Sequence, residues 1–338
     1  MSAIISFPET LKNWPYPRKT NPHYRPYDTQ TEMIDRLGLL NQENIKQFVR
    51  CNLPLFSSLT YSLLSEEGYC VGLDFINLGF MIDQVTDNMK EWEAAAIGNL
   101  VSDAVCNPQK PRPEGEHAIG ELARLFGQRL AHSGSKACIQ RFCRPGASWD
   151  DYCMSMSEEA RDREDHRVRS VEEYMRLRIR TVGVIPTLDL LLFDIEIPED
   201  VLDHPTMSKL RLLAGEIICL ENDLYSYQRE VATGDPMHNI VDVAMQVHGM
   251  HVQDAIDWVA KKVTDRMAKY LKLSKEIFWD DRSLDTQVRI YISGMANWIT
   301  GNQCWSFEGQ RYFGKDVEKV RKERKVMLTN ERKTVICW

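Results

Sequence analysis

Asn222, Ser226 and Glu230 follow one another at spacings of four in the run NDLYSYQRE, so on a helix an amide, a hydroxyl and a carboxylate line one face. Oxygen donors of these kinds suit a hard cation such as Mg²⁺, which usually completes its octahedron with water and substrate phosphates. A phosphorylated substrate follows. Far upstream, Asp83 and Asp87 repeat the spacing in FMIDQVTD, just after the apolar stretch from Val71 to Gly79. Carboxylates beside so apolar a run are costly to bury unless something cationic compensates them. Two facing helices carrying these two sets would hold a cluster of Mg²⁺ ions between them and grip a diphosphate. Taken alone, each set also fits a solvated polar helix face.

The elements that must position these groups are helices, because the dominant period of the chain is helical. The pattern predicts helices over residues 31–50, 55–65, 68–88, 92–106, 116–133, 149–180, 206–229, 240–247, 251–273, 286–305 and 307–324. Pro and Gly clusters punctuate them at 108–115, 144–146, 197–198 and 234–236. Convincing strand alternation is absent, so the expected fold is all-α. Within YMRLRIRTVGVIP (174–186), Gly183 and Pro186 break a long helix after a basic segment and open its backbone. Arg176, Arg178 and Arg180 there serve either a ligand or the acidic run 158–165.

Composition narrows the function without choosing it. The 338-residue chain carries a formal charge of −7, which argues against a nucleic-acid partner, since that would call for a basic patch. No apolar run approaches the roughly 20 residues of a membrane span. Nine scattered cysteines without C-x-x-C spacing favour neither zinc nor a disulfide framework and point to a reducing, cytoplasmic compartment. Residues 1–27, rich in Pro, Tyr and Asn, lack the order of a secretory signal and read as an irregular arm packed on the surface. The basic segment 315–333 reads as a solvated helix face. His248 and His251 lack a third ligand nearby, capping explains Asp150-Asp151 and Asp280-Asp281, and neither a Gly-rich phosphate loop nor a G-x-S-x-G elbow is present.

The order DQVTD, then NDLYSYQRE, then Arg311-Tyr312 resembles the class I terpene synthases, specifically the single-domain sesquiterpene cyclases of fungi. The stretch from Asn297 to Tyr312, NWITGNQCWSFEGQRY, is similar to that family's last core helix, and the resemblance runs from about Met33 to Gly314. It implies the helical bundle of class I isoprenoid synthases around a central cavity. It also implies an arm over 1–30, a catalytic domain over 31–314 and a basic tail over 315–338 that packs on or extends that domain. Mg²⁺, three per site with Mn²⁺ as a substitute, would sit on Asp83, Asp87, Asn222, Ser226 and Glu230. The family most often has a second acidic residue directly after the first Asp; Gln84 stands there, which leaves Asp83 as the expected metal contact and weakens the case for Asp87.

The resemblance places a diphosphate-sensing Arg near the helix break, and the Tyr-x-x-x-Arg spacing selects Arg178, with Arg180 as runner-up. Arg178, Arg229, Arg311 and Tyr312 would bind the diphosphate, for which the Arg fork is well suited. Phe80 lies one turn before Asp83, and Trp298 and Trp305 lie seven apart on the helix leading to Arg311. Their faces could stabilise an allylic cation, by about 0.5–2 kcal/mol each, with Phe56 and Phe75 as possible additions. Core packing is the competing reading for all five. The activity implied is ionisation of farnesyl diphosphate (C15) to a sesquiterpene hydrocarbon or alcohol by a monomer or homodimer. Geranyl diphosphate or a linear alcohol product is the alternative. A prenyl-chain elongase is disfavoured because the second motif is Asn/Ser/Glu rather than aspartate-rich. A non-catalytic diphosphate binder is the remaining reading.

Overall fold

The computed structural model describes residues 3–26, 29–144, 146–233 and 238–328. In chain order its elements are β1 (Ala3–Ser6), α1 (Thr29–Arg36), α2 (Gln42–Arg50), α3 (Leu53–Thr60), α4 (Glu66–Thr86), α5 (Glu91–Cys106), α6 (Ile119–Ser133), α7 (Lys136–Cys143), α8 (Ser148–Glu164), α9 (Val171–Thr181), α10 (Val184–Asp189), α11 (Glu199–Leu202), α12 (Pro205–Thr233), α13 (Ile240–His248), α14 (Val252–Glu276), α15 (Arg282–Glu308), α16 (Val317–Glu323) and β2 (Lys325–Leu328). The fold is all-α, as the periodicity predicts. The one sheet among the described residues is a ribbon in which β1 pairs antiparallel with β2.

Three expected helices are divided. The 31–50 span is cut at Gly38, which takes φ +66, and α2 restarts on the Asn41 side chain, which accepts from Asn44 N. The 149–180 span is cut after Glu164: His166 adopts φ +50 and α9 begins on a capping box of Ser170 and Glu173. The 307–324 span is cut because α15 runs on to Glu308 and α16 starts only at Val317, so Arg311 and Tyr312 lie on the connection between them. The break foreseen at Gly183 is present, with Gly183 at φ +65 between α9 and α10. The punctuation at 234–236, Pro145 of the 144–146 cluster, Cys337 and the end of the basic tail lie outside the described residues. The eight described cysteines are free thiols, and no described helix is long and apolar enough to cross a membrane.

The long helices α12 and α15 pack on each other, α14 covers α12 and α3 covers α15. Where α15 crosses α3 the backbones touch. A Cβ built on Gly301 would lie 2.8 Å from Leu59 C and O and 2.9 Å from Thr60 Cγ2, closer than a side chain can sit. In α4, Asp74 is buried but paired with Arg129 at 2.7 Å, so its charge is compensated. The N-terminal segment is irregular beyond β1, yet Ile5, Phe7 and Trp14 reach the core. Thr10 Oγ1 donates to buried Glu221 at 2.5 Å, and Asn21 Nδ2 to the carbonyls of Tyr61 and Leu64 at 2.8 Å.

Gly301→Ala is expected to force α15 away from α3 and destabilise the fold by about 1–3 kcal/mol. The check is a lower urea midpoint with an unchanged denaturant slope.

Candidate active site

Helix α4 brings Phe75, Ile76, Gly79, Phe80 and Asp83, with Asp87 at its C-cap, to one cavity, and α12 brings Ile218, Asn222, Ser226, Arg229 and Glu230 to the same space. The cavity has a volume of about 330 Å³. Arg178 enters from α9, Trp298 and Trp305 from α15, and Arg311 and Tyr312 from the segment after it. All the residues expected to bind metal, diphosphate or cation therefore line one cavity, and so do Phe56 and Phe75. Arg180 turns outward to Asp151 and Glu158, at 2.7 and 2.6 Å, and Arg176 is exposed. Arg180 thus takes the partnership with the acidic run, and Arg178 is the arginine of that segment facing the cavity.

On all three helices the cavity residues change from apolar to charged in the chain direction. Ile76 precedes Asp83 on α4, Ile218 precedes Glu230 on α12, and Trp298 and Trp305 precede Arg311 beyond α15. One wall is therefore aromatic. Phe56 stacks on Trp305 with centroids 4.2 Å apart, Trp298 meets Phe56 edge-on at 5.2 Å, and Phe80 meets Trp305 edge-on at 5.9 Å. Trp305 is anchored by its Nε1, which donates to Cys51 O at 2.7 Å.

Farther along the same helices charge is concentrated. Arg178 Nε donates to Asp223 Oδ1 and its Nη2 to Asn222 Oδ1, both at 2.9 Å, and Asn222 Nδ2 donates to the Tyr312 hydroxyl at 2.9 Å. Burial opposes the charge of Arg178, but Asp223 and then Tyr174 and Glu159 outweigh it and hold the guanidinium ionised. Arg311 lies over the Phe80 ring at 4.6 Å. Burial, and then Arg311 itself, push the Arg229 pKa down, and Arg229 Nε is buried with no hydrogen-bond partner. Two neighbouring cations, one with an unused donor, form a ready site for an anion.

The carboxylates are strained in the opposite sense. Burial, together with Glu159, raises Asp83 against the downward pull of Arg311. Burial, Asp83 and Glu159 push Asp87 up to about 7. Both side chains are exposed to the cavity, where water screens them in part. Burial, and then Asp223, raise Glu230, whose Oε2 accepts from Asn239 Nδ2 at 2.7 Å. A divalent cation would relieve all three. The donors present, carboxylate, amide and hydroxyl oxygens without thiolate, fit a hard metal. Among the described residues no group of three or more His, Cys, Asp and Glu side chains is gathered to hold one, so the fit rests on Asn222 and Ser226 as much as on the carboxylates.

Sequence reasoning missed Asp223, Tyr174 and Glu159. Asp223 is fully buried and takes Tyr174 OH at 2.5 Å and Ile240 N at 3.0 Å on Oδ2, besides Arg178 on Oδ1. Its signal was the Tyr-x-x-x-Arg spacing, which puts Tyr174 and Arg178 on one face toward a shared acceptor. Glu159 lines the cavity and faces His238 Nε2 at 3.4 Å; it stood unnoticed in an acidic run.

The family model described as "Terpene synthase family 2, C-terminal metal binding" matches residues 74–269, a span that contains Asp83, Asp87, Asn222, Ser226, Glu230 and Arg178. The chain is 35% identical over 319 residues to a Delta(6)-protoilludene synthase of Stereum hirsutum, covering 92% of this chain and 84% of that protein. It is 32% identical over 332 residues to sesquiterpene synthase 14 of Postia placenta, covering 98% and 94%. The solved structure of a-eudesmol synthase has the same fold, with a TM-score of 0.75 at 22% identity over 87% of this chain and 97% of that one.

Asp223→Ala leaves Arg178 buried without its counter-ion. It is expected to cost about 3–5 kcal/mol of stability, as breaking a buried pair from one side does, checked by denaturant unfolding against Asp223→Asn, which keeps an acceptor and loses less.

Proposed function

The chain belongs to terpene synthase family 2, and from that membership we propose that it is a metal-dependent enzyme ionising farnesyl diphosphate to an allylic cation and diphosphate, and releasing a sesquiterpene hydrocarbon or alcohol. The observation that carries this reading is the single cavity in which unpaired cations and carboxylates give way, along three helices, to stacked aromatic rings. Its volume of about 330 Å³ falls within the range of about 300–1,000 Å³ usual for small-ligand pockets. The C15 substrate is favoured by the relatives named for sesquiterpenes; geranyl diphosphate remains the alternative.

Asp83 on one side and Asn222, Ser226 and Glu230 on the other would hold Mg²⁺, three ions per site with Mn²⁺ able to replace it, and Asp87 would support Asp83. Bound there, the metal supplies Lewis-acid stabilisation of the charge that develops on the leaving diphosphate. Arg178, Arg229, Arg311 and the Tyr312 hydroxyl donate hydrogen bonds to the same oxygens, strongest when the C–O bond is breaking and negative charge peaks. Arg178 also fixes Asn222 Oδ1, so the residue sensing the diphosphate touches the metal-binding face. Phe80, Trp298 and Trp305 turn ring surfaces to the hydrocarbon, attracting a cation while offering no lone pair to trap it. The same rings exclude water, which would otherwise quench the cation. The catalytic unit is assigned to residues 31–314, with 1–30 as an arm bonded into it and 315–338 as a basic tail.

Purified protein given farnesyl diphosphate and Mg²⁺ is expected to release diphosphate and a defined C15 product by gas chromatography with mass spectrometry, both abolished by EDTA. Geranyl diphosphate run in parallel separates the C10 alternative. Folded protein that binds farnesyl diphosphate but releases neither product would overturn catalysis in favour of binding alone. Glu230→Gln and Asp83→Asn are each expected to lower kcat/KM by about 100-fold or more, the scale of losing a charge-stabilising group. Asp87→Asn is expected to cost only about 10-fold, the scale of a supporting residue; an equal loss at both aspartates would make Asp87 a ligand in its own right.

A further inference from the structure

Asn302 sits in the aromatic wall, four residues after Trp298 and three before Trp305 on α15, and therefore on their face. It lines the cavity, is 1% exposed, and its Nδ2 has no hydrogen-bond partner. With Nδ2 enclosed by protein, the end of the amide left facing the cavity is its oxygen. Its Nδ2 is closed off from water. On one flank Gly301 holds the backbone against Leu59 and Thr60. On the other, Gln303 Nε2 is bonded to Thr10 Oγ1 at 2.8 Å, Tyr225 OH at 2.9 Å and Glu221 Oε1 at 3.0 Å. Ser306 Oγ also donates to Asn302 O at 2.8 Å. A buried amide without partners costs stability, and an apolar side chain of the same size would remove that cost. Packing therefore gives no reason for an asparagine here.

The hydrocarbon part of a prenyl diphosphate supplies no hydrogen-bonding group, but after ionisation it supplies a positive charge. An amide oxygen presents the negative end of a fixed dipole, and beside bound hydrocarbon that displaces water from the aromatic wall that end acts more strongly than in solvent. The geometry points to Asn302 as a specificity-determining residue, its side-chain oxygen holding the carbocation against the Trp298 and Trp305 wall during cyclisation. This rests on the terpene-forming reading above. An aromatic face attracts a cation anywhere over its area, whereas one oxygen marks one position, so the dipole biases which cationic carbon lies at that wall.

The test is the product distribution, normalised to diphosphate released, for Asn302→Leu and for the pair Asn302→Ser and Asn302→Ala, which differ in volume by little more than an oxygen. Leucine keeps the bulk and removes the dipole. It is expected to unfold at the same or a higher temperature than the wild type, because a partnerless polar group is gone. The share of the main wild-type product should nevertheless fall by about half or more, the scale set by a loss near RT in discrimination between competing steps. Serine is expected to stay closer to the wild-type distribution than alanine. An unchanged distribution in the leucine variant overturns the proposal, and so do serine and alanine variants that shift alike, since space rather than the dipole would then decide. The serine and alanine pair decides the matter by itself if the leucine variant does not fold. A wild-type protein that forms no terpene overturns the parent reading, and this one with it.

Discussion

Charges of both signs face each other across this cavity without neutralising one another. Among the described residues, Arg178 has an ion-pair partner in Asp223, while none is formed by Arg229 or Arg311. Asp83, Asp87 and Glu230 are all raised toward protonation. A protein interior normally pairs buried charges because isolated ones are expensive. Here the pairing is withheld, and each uncompensated group is complementary to something a metal–diphosphate ligand brings: cations for the carboxylates, phosphate oxygens for the arginines. The arrangement exchanges stability of the empty protein for affinity toward that ligand.

Withholding those pairs requires a rigid frame, and the frame is built from the residues nearest the site. Asp223 ties α9, α12 and the start of α13 together through Arg178, Tyr174 and Ile240 N. Glu221, two residues earlier on α12, binds the N-terminal segment through Thr10 and α15 through Gln303. Residues 221, 223 and 225 thus fasten the helix to its neighbours, while 222, 226 and 230 face the cavity. The ribbon of β1 and β2 closes the same region: Phe7 packs edge-on against Tyr225 at 5.9 Å and against Phe307 at 6.4 Å. Hydrogen bonds from the terminal segments, and not the bundle alone, hold α12 in place.

What the sequence disclosed was whatever one helical face repeats. Asp83 with Asp87, and Asn222 with Ser226 and Glu230, are visible because a spacing of four is itself a geometry, and the all-α class follows from the same period. What stayed hidden depends on two separate faces or on a short signal. Asp223, adjacent to Asn222, points about 100° away from it and reads as a spacer until α9 is seen beneath it. The breaks at Gly38 and Ser170 each carried local marks, a glycine before an Asn cap and a Ser-x-x-Glu box, which a long periodic run outweighed. Asn302 was invisible because its oddity is the lack of a partner, and that is a property of its surroundings.

The position of the two acidic motifs along their helices adds a last constraint. Asp83 and Asp87 fall at the end of α4, which closes at Thr86, and Glu230 falls in the last turn of α12, which closes at Thr233. Neither helix has a basic residue in its last turn. This reverses the usual preference, because the C-terminal end of a helix carries partial negative charge and stabilises cations, by about 0.3–1 kcal/mol each. Carboxylates placed there repel the helix that carries them. The same placement adds the negative ends of two helix dipoles to the carboxylates at the spot where divalent metal would bind, so the feature that weakens the empty fold would strengthen that binding. Arg178 from α9 and Arg311 from the segment after α15 are set against that negative field, while Arg229 lies within it, next to Glu230 on α12. A diphosphate is drawn by these cations and would meet the carboxylates through metal, so one cavity can be acidic enough to collect metal and still receive an anion.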